Sequence, residues 1–125
     1  MKKKNSLIIG SGVIGGYLAK LLITKKHKVI VTSRNIKKNY INYNKLNIEE
    51  KIVFEELDVL KKKDILRIIR KYNPENIFYF SGQSSLTKSI NLKKETNDSN
   101  YVGAKNFLEI LYRYKIKSKF YKANS

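Results

Sequence analysis

Short apolar runs alternate along the chain with longer amphipathic segments. Asn5 to Ile9 reads as a first strand, apolar enough to be buried on both faces. Ile14 to Lys25 reads as a helix whose Leu18, Leu21 and Leu22 face the sheet, with Lys20, Lys25 and Lys26 solvated. Lys28 to Thr32, short and β-branched, is a second strand, after which Ser33-Arg34-Asn35 leaves the sheet. Residues 36 to 50 are rich in Asn, Lys and Tyr, show little periodicity, and read as a connection with room for one helical turn. Lys51 to Leu57 is a third strand and Val59 to Tyr72 a helix with Leu60, Ile65, Ile68 and Ile69 inward, ended by the turn at Pro74. Asn76 to Phe80 is a fourth strand and Ser81 to Asn91 a polar loop. Glu95 to Tyr114 is a long helix and Lys117 to Ala123 a fifth strand.

This alternation predicts an α/β fold: a Rossmann-type, doubly wound parallel sheet in one domain over residues 1–125, followed here as far as its fifth strand. Such sheets bind ligands beyond the carboxyl ends of their strands. The segments that matter are therefore Gly10 to Gly15, Ser33-Arg34, Asp58-Val59, Ser81 to Ser85 and Asn124-Ser125.

The first of these has its own signature. Gly10, Gly12 and Gly15 stand at G-x-G-x-x-G spacing between a predicted strand and a predicted helix, the context a dinucleotide-binding βαβ unit requires. Gly10 lets the chain turn out of the strand, Gly12 lets backbone approach a pyrophosphate, and Gly15 lets the helix pack close to the sheet. With Val13 and Ile14 these glycines make the expected cofactor-binding turn, where the helix N-terminus offers free N–H groups to phosphate. About 20 residues further on, an NAD site usually places Asp or Glu on the ribose 2′-hydroxyl. This chain has Thr32-Ser33-Arg34 instead, and a guanidinium beside a small hydroxyl suits a 2′-phosphate, so NADP is favoured with NAD still possible.

Composition narrows the picture. There is no cysteine, hence no disulfide and no thiolate metal site, as expected of a cytoplasmic protein; no metal site is expected at the lone histidine, His27. Met1-Lys2-Lys3-Lys4 before an apolar run imitates a secretory signal, but glycines interrupt the run and lysines return too soon. No stretch approaches the roughly 20 apolar residues that span a bilayer, so no membrane partner is expected. The net charge of +17 admits a nucleic-acid surface. Yet lysine outnumbers arginine 23 to 4, the lysines are scattered, and no basic stripe with interleaved aromatics occurs. A lysine-biased composition accounts for the charge better than a dedicated reader of phosphates and bases, so no specific nucleic-acid partner is expected.

Four further motifs carry a resemblance. They are Leu57-Asp58-Val59, then Pro74 through Ser84 (Pro-Glu-Asn-Ile-Phe-Tyr-Phe-Ser-Gly-Gln-Ser), then Asn100-Tyr101-Val102-Gly103-Ala104 continued by Leu108-Glu109, and last Phe120 through Ser125. In this order they resemble the amino-terminal part of extended short-chain dehydrogenase/reductases, most of all nucleotide-sugar dehydratases of the GDP-mannose 4,6-dehydratase type. The resemblance implies that Asp58 accepts from the adenine amino group while Val59 packs on the ring. It implies that Ser81, Gly82 and Gln83 line the ribose and nicotinamide side, and that Ser84, Ser85 and Ser89 approach a nucleotide sugar resembling GDP-mannose. Ser125 falls on the catalytic Ser or Thr that hydrogen-bonds the sugar O4. In such dehydratases a hydride leaves C4, water leaves across C5 and C6, and the hydride returns to C6, which makes the net reaction a lyase reaction. The family also implies a homo-oligomer for the full-length enzyme.

The chain departs from the family in its shorter fingerprint spacing and in Gly82 and Ser85. The family's catalytic Tyr-x-x-x-Lys belongs to the helix after strand five. The one such spacing here, Tyr101 and Lys105, lies in the helix before it, so the 125 residues are expected to bind cofactor without turning substrate over. The alternatives are an epimerase or reductase of the same superfamily, a non-catalytic NAD(P)-binding module, and, less favoured, a basic nucleic-acid-binding protein.

Overall fold

The computed structural model describes residues 4–10, 13–33, 51–80 and 93–122, the side chains of 13–14 and 93–100 excepted. Its elements are β1 (Asn5–Ile9), α1 (Val13–Thr24), β2 (Lys28–Ser33), β3 (Ile52–Glu56), α2 (Lys62–Tyr72), β4 (Asn76–Tyr79), α3 (Lys93–Arg113) and β5 (Lys119–Lys122). The strands form one parallel sheet in the order β3-β2-β1-β4-β5. Leu7 is paired with Ile30 on one side and Ile77 on the other, so β1 is central and buried. The chain winds outward from β1 to β3 and then crosses to β4, which makes the β1/β4 boundary the topological switch point of the sheet. The fold is thus the doubly wound Rossmann type that the alternation predicts. The connection over 36–50 and the loop from Ser81 lie outside the described residues.

Alternate side chains of each strand enter different cores, as a period of two requires. Ile8, Val29, Val31 and Ile52 meet Ala19 and Leu22 of α1 on one face. Leu7, Ile9, Ile30, Ile77 and Tyr79 meet Ile65 and Ile68 of α2 and Phe107 and Ile110 of α3 on the other. Tyr79, Phe107 and Phe120 close that second core as a ring cluster with centroids 5.8–5.9 Å apart.

Two of the expected inward leucines point elsewhere. Leu21 is 52% exposed, because Ala19, Leu22 and Ile23 complete the sheet-facing stripe and Leu21 lies one residue, about 100°, off it. Leu60 is 42% exposed, because α2 begins at Lys62 rather than Val59 and Leu60 belongs to the turn before it. Helix α1 ends in a Schellman reversal: Lys26 takes φ 65°, and the His27 and Lys26 amides donate to the Leu22 and Ile23 carbonyls, each at 2.9 Å. His27, held there, shares a 2.8 Å hydrogen bond with Ser6 Oγ and ties the helix end to β1.

Candidate functional site

Two turns at the carboxyl end of the sheet carry the described part of the site. The first leaves β1. Gly10 has φ 95°, a region L-residues rarely enter, and its N–H donates to the Thr32 carbonyl at 3.0 Å. The chain is thereby pinned to β2 at the moment it turns. Val13 already opens α1, whose first N–H groups have no partner one turn back in the helix. Gly15 is buried, as close helix–sheet packing demands. Thr32, itself buried, donates through Oγ1 to the Ile8 carbonyl at 3.3 Å. At Gly10 the chain is held backbone to backbone, in a conformation that glycine takes freely.

The second turn leaves β3 and is held by side chains. The Asp58 N–H donates to Asp64 Oδ2 at 2.9 Å, and Asp58 Oδ1 accepts from the Leu60 N–H at 3.0 Å. The Lys61 N–H donates to the Asp58 carbonyl at 3.0 Å. Val59 is 4% exposed, and its carbonyl accepts from Asn106 Nδ2 of α3 at 2.9 Å. Gly103, one helical turn before Asn106, lies directly on this turn. A Cβ there would overlap the Tyr79 hydroxyl and come within 2.6 Å of Val59 Cγ2. The glycine of the Asn-x-x-Gly motif therefore lets α3 sit against Val59.

Asp64 does three things at once. It is the acid in the first turn of α2, where the helix dipole favours negative charge and where Lys61 supplies no capping side chain. Its Oδ2 holds Asp58, and its Oδ1 takes the Arg67 Nε and Nη2 at 3.0 and 2.8 Å. Arg67 in turn donates to the Glu56 carbonyl at 3.1 Å, at the end of β3. Burial works against the Asp64 charge, but the Asp58 amide and the Arg67 guanidinium outweigh it and hold the carboxyl below its ordinary value. A groove of about 790 Å³ opens beside the turn, with Leu60, Lys61, Asp64, Arg67, Val102 and Asn106 in its walls.

Of the expected site residues, the structure brings Gly10, Val13, Ile14 and Gly15 into the first turn and Asp58 and Val59 into the second. Gly12, Arg34, Ser81, Gly82, Gln83, Ser84, Ser85, Ser89 and Ser125 lie outside the described residues. Tyr101 is 68% exposed on α3, and Lys105 beside it faces Glu109 at 3.9 Å. Sequence reading missed Asp64 and Asn106. The first has a local signal, an acid three residues after the residue that precedes a helix. The second has none, being one Asn among many.

Comparison with known proteins places this geometry. The model of the GDP-mannose 4,6 dehydratase family matches residues 7–125. The chain is 29% identical over 106 residues to the CDP-paratose 2-epimerase of Salmonella typhi, covering 84% of this chain and 31% of that protein. It superposes on the UDP-glucose 4-epimerase of Thermotoga maritima, solved with UDP-glucose, with a TM-score of 0.80 at 25% identity, over 97% of this chain and 38% of that one. The L-threonine dehydrogenase of Clostridium difficile superposes with a TM-score of 0.79 at 29% identity, over 100% of this chain and 37% of that one. The chain thus spans about a third of the length of the proteins it matches.

Proposed function

Because the chain belongs to the GDP-mannose 4,6 dehydratase family, we propose that it is the dinucleotide-binding part of a nucleotide-sugar 4,6-dehydratase. One observation carries this reading: a glycine turn and an acidic turn, each at the carboxyl end of a strand, on the two sides of β2 in a sheet ordered β3-β2-β1-β4-β5. That arrangement fits an extended dinucleotide. Gly10, Val13, Ile14 and Gly15, with Gly12 between them, hold its diphosphate against the start of α1. Asp58 accepts from the adenine amino group and Val59 packs on the ring. Arg34 grips a 2′-phosphate, which makes NADP the preferred cofactor.

When bound, the nicotinamide supplies a hydride acceptor and donor. Ser81, Gly82 and Gln83 orient its ribose side, and Ser84, Ser85 and Ser89 orient the nucleotide sugar. Ser125 donates a hydrogen bond to the sugar O4, holding C4 in line for hydride transfer. The second reading, a nucleotide-sugar epimerase, is favoured by the likenesses to the two epimerases. Both readings share the cofactor and differ in the fate of the sugar.

Titrating the 125-residue chain with NADPH, NADH and ADP-ribose tests the common part. Binding of all three, NADPH more tightly than NADH, is expected. Equal affinities would remove the preference for NADP, and no binding at all would overturn the reading. Incubating the native gene product with GDP-mannose decides the reaction. A product lighter by one water marks the dehydratase, and a product of unchanged mass marks the epimerase.

A further inference from the structure

We propose that Asn106 and Asp64 are positioning residues for the dinucleotide: acting from two different helices, they fix the Asp58–Val59 turn in the shape that receives the adenine. The inference rests on the dinucleotide reading above. Asn106 is 6% exposed, on a helix face otherwise made of Ala104, Phe107, Ile110 and Leu111. A buried primary amide among apolar neighbours is costly unless it is paired, and a Leu or Ala would complete that core without the cost. The amide's described partner is the Val59 carbonyl, 47 residues away in sequence and 2.9 Å away in space. Asp64 answers from the other side, taking the N–H of Asp58 at 2.9 Å.

The effect is a turn tied at every step. The Asp58 N–H is held by α2, the Val59 carbonyl by α3, the Leu60 N–H by the Asp58 carboxylate and the Lys61 N–H by the Asp58 carbonyl. The Leu60 contact also orients that carboxylate, the group expected to meet the adenine. A loop ordered before the ligand arrives loses less entropy on binding, so these bonds act on affinity as well as on folding. Neither side chain needs to touch the cofactor.

Calorimetric titration of the 125-residue chain with ADP-ribose, well below its unfolding temperature, tests the inference. Asn106→Leu removes the donor while keeping the branched side-chain shape, and Asp64→Ala removes the acceptor; each is expected to weaken ADP-ribose binding about tenfold. Asp64→Asn keeps one oxygen for the Asp58 N–H while losing the acceptor that faces Arg67, and is expected to bind more tightly than Asp64→Ala. A purely structural role would lower the unfolding midpoints and leave the ADP-ribose affinity unchanged, and that result overturns the proposal. Should Asn106→Leu fail to fold, the contrast between Asp64→Ala and Asp64→Asn decides alone. A parent chain that binds no ADP-ribose fails the dinucleotide reading and takes this inference with it. A parent that binds, with variants that bind equally, fails only the positioning.

Discussion

The turn after β1 and the turn after β3 both lie at the carboxyl end of the sheet but are built in opposite ways. The first is local. Gly10 alone can take φ 95° without strain, and its N–H finds the Thr32 carbonyl of the neighbouring strand. The second is tertiary. Its peptides are held by Asp64 of α2 and Asn106 of α3, and its close approach to α3 depends on Gly103. A turn of the first kind is specified by the residues in it, whereas a turn of the second kind is specified by residues far along the chain. Substitutions should therefore act at the first turn through backbone strain and at the second through packing and side-chain bonds.

The largest expected effect tests the tertiary side. Gly103→Ala adds a methyl that must displace Tyr79 and Val59, both buried in the larger core. Overpacking of this kind costs about 3 kcal/mol, offset by about 1 kcal/mol of better helix propensity. A net loss near 2 kcal/mol in urea denaturation is expected, together with weaker ADP-ribose binding because Val59 moves. Unchanged stability would mean that α3 does not press on this turn. Next comes Gly10→Ala, which forces an alanine into a left-handed φ at a cost of about 1 kcal/mol. Its signature differs: diphosphate-containing ligands should weaken, with the turn after β3 unaffected. If Gly10→Ala costs more than Gly103→Ala, the contrast between the turns is reversed.

This contrast also explains what could be read before the fold was known. The glycine spacing after β1, the apolar strands and their order are local or periodic signals, and the sheet and its first turn follow from them. Asp58 and Val59 were legible as a turn beyond a strand end, but the adenine role expected of them comes from the family resemblance alone, because nothing in their own neighbourhood marks such a site. Asn106 was not legible at all: its meaning lies in a bond across 47 residues, which no spacing rule reaches. The two misread leucines fail for local reasons instead, Leu21 because it lies off the sheet-facing stripe of α1. Leu60 looked helical by periodicity, but Asp58 caps the turn with its own carboxylate and delays the helix to Lys62.

Acid sharpens the comparison on a smaller scale. Asp64 and Glu55 both titrate below their ordinary values of 3.8 and 4.5. For Glu55, burial opposes the charge, and hydrogen bonds from Lys71 at 2.8 Å and the Tyr72 hydroxyl at 2.5 Å outweigh it. A carboxyl that is more acidic when folded binds fewer protons than in the unfolded chain. Its contribution is full above those ordinary values and is lost as pH falls below them through the folded pKa. Because both acids fasten α2, acid should loosen the turn after β3 before the turn after β1. Amide exchange followed from pH 6 to pH 3 should show protection falling at Leu60 and Lys61 ahead of Gly10. In Asp64→Asn the fall should be shallower. Loss of protection at Gly10 first would break the distinction.

The smallest expected effect concerns Tyr101 and Lys105, a pair with the right spacing for a catalytic couple and none of the tertiary anchoring that marks the turn after β3. Tyr101 is 68% exposed and lines an open groove with Leu108 and Tyr112 on the flank of α3. Among the described residues Lys105 pairs with Glu109, at 3.9 Å, which Lys62 holds more closely at 2.6 Å. Exposed pairs of this sort contribute little to stability. Tyr101→Phe and Lys105→Met should therefore leave both the denaturation midpoint and the ADP-ribose affinity where they were. Asn106→Leu, one residue beyond Lys105 on the same helix, should change both. The two residues differ in what they touch and hardly at all in position, so this pairing isolates the tertiary bond as the variable. A tenfold loss of affinity in Tyr101→Phe would show that the spacing carried information after all, and would move the site onto the exposed flank of α3.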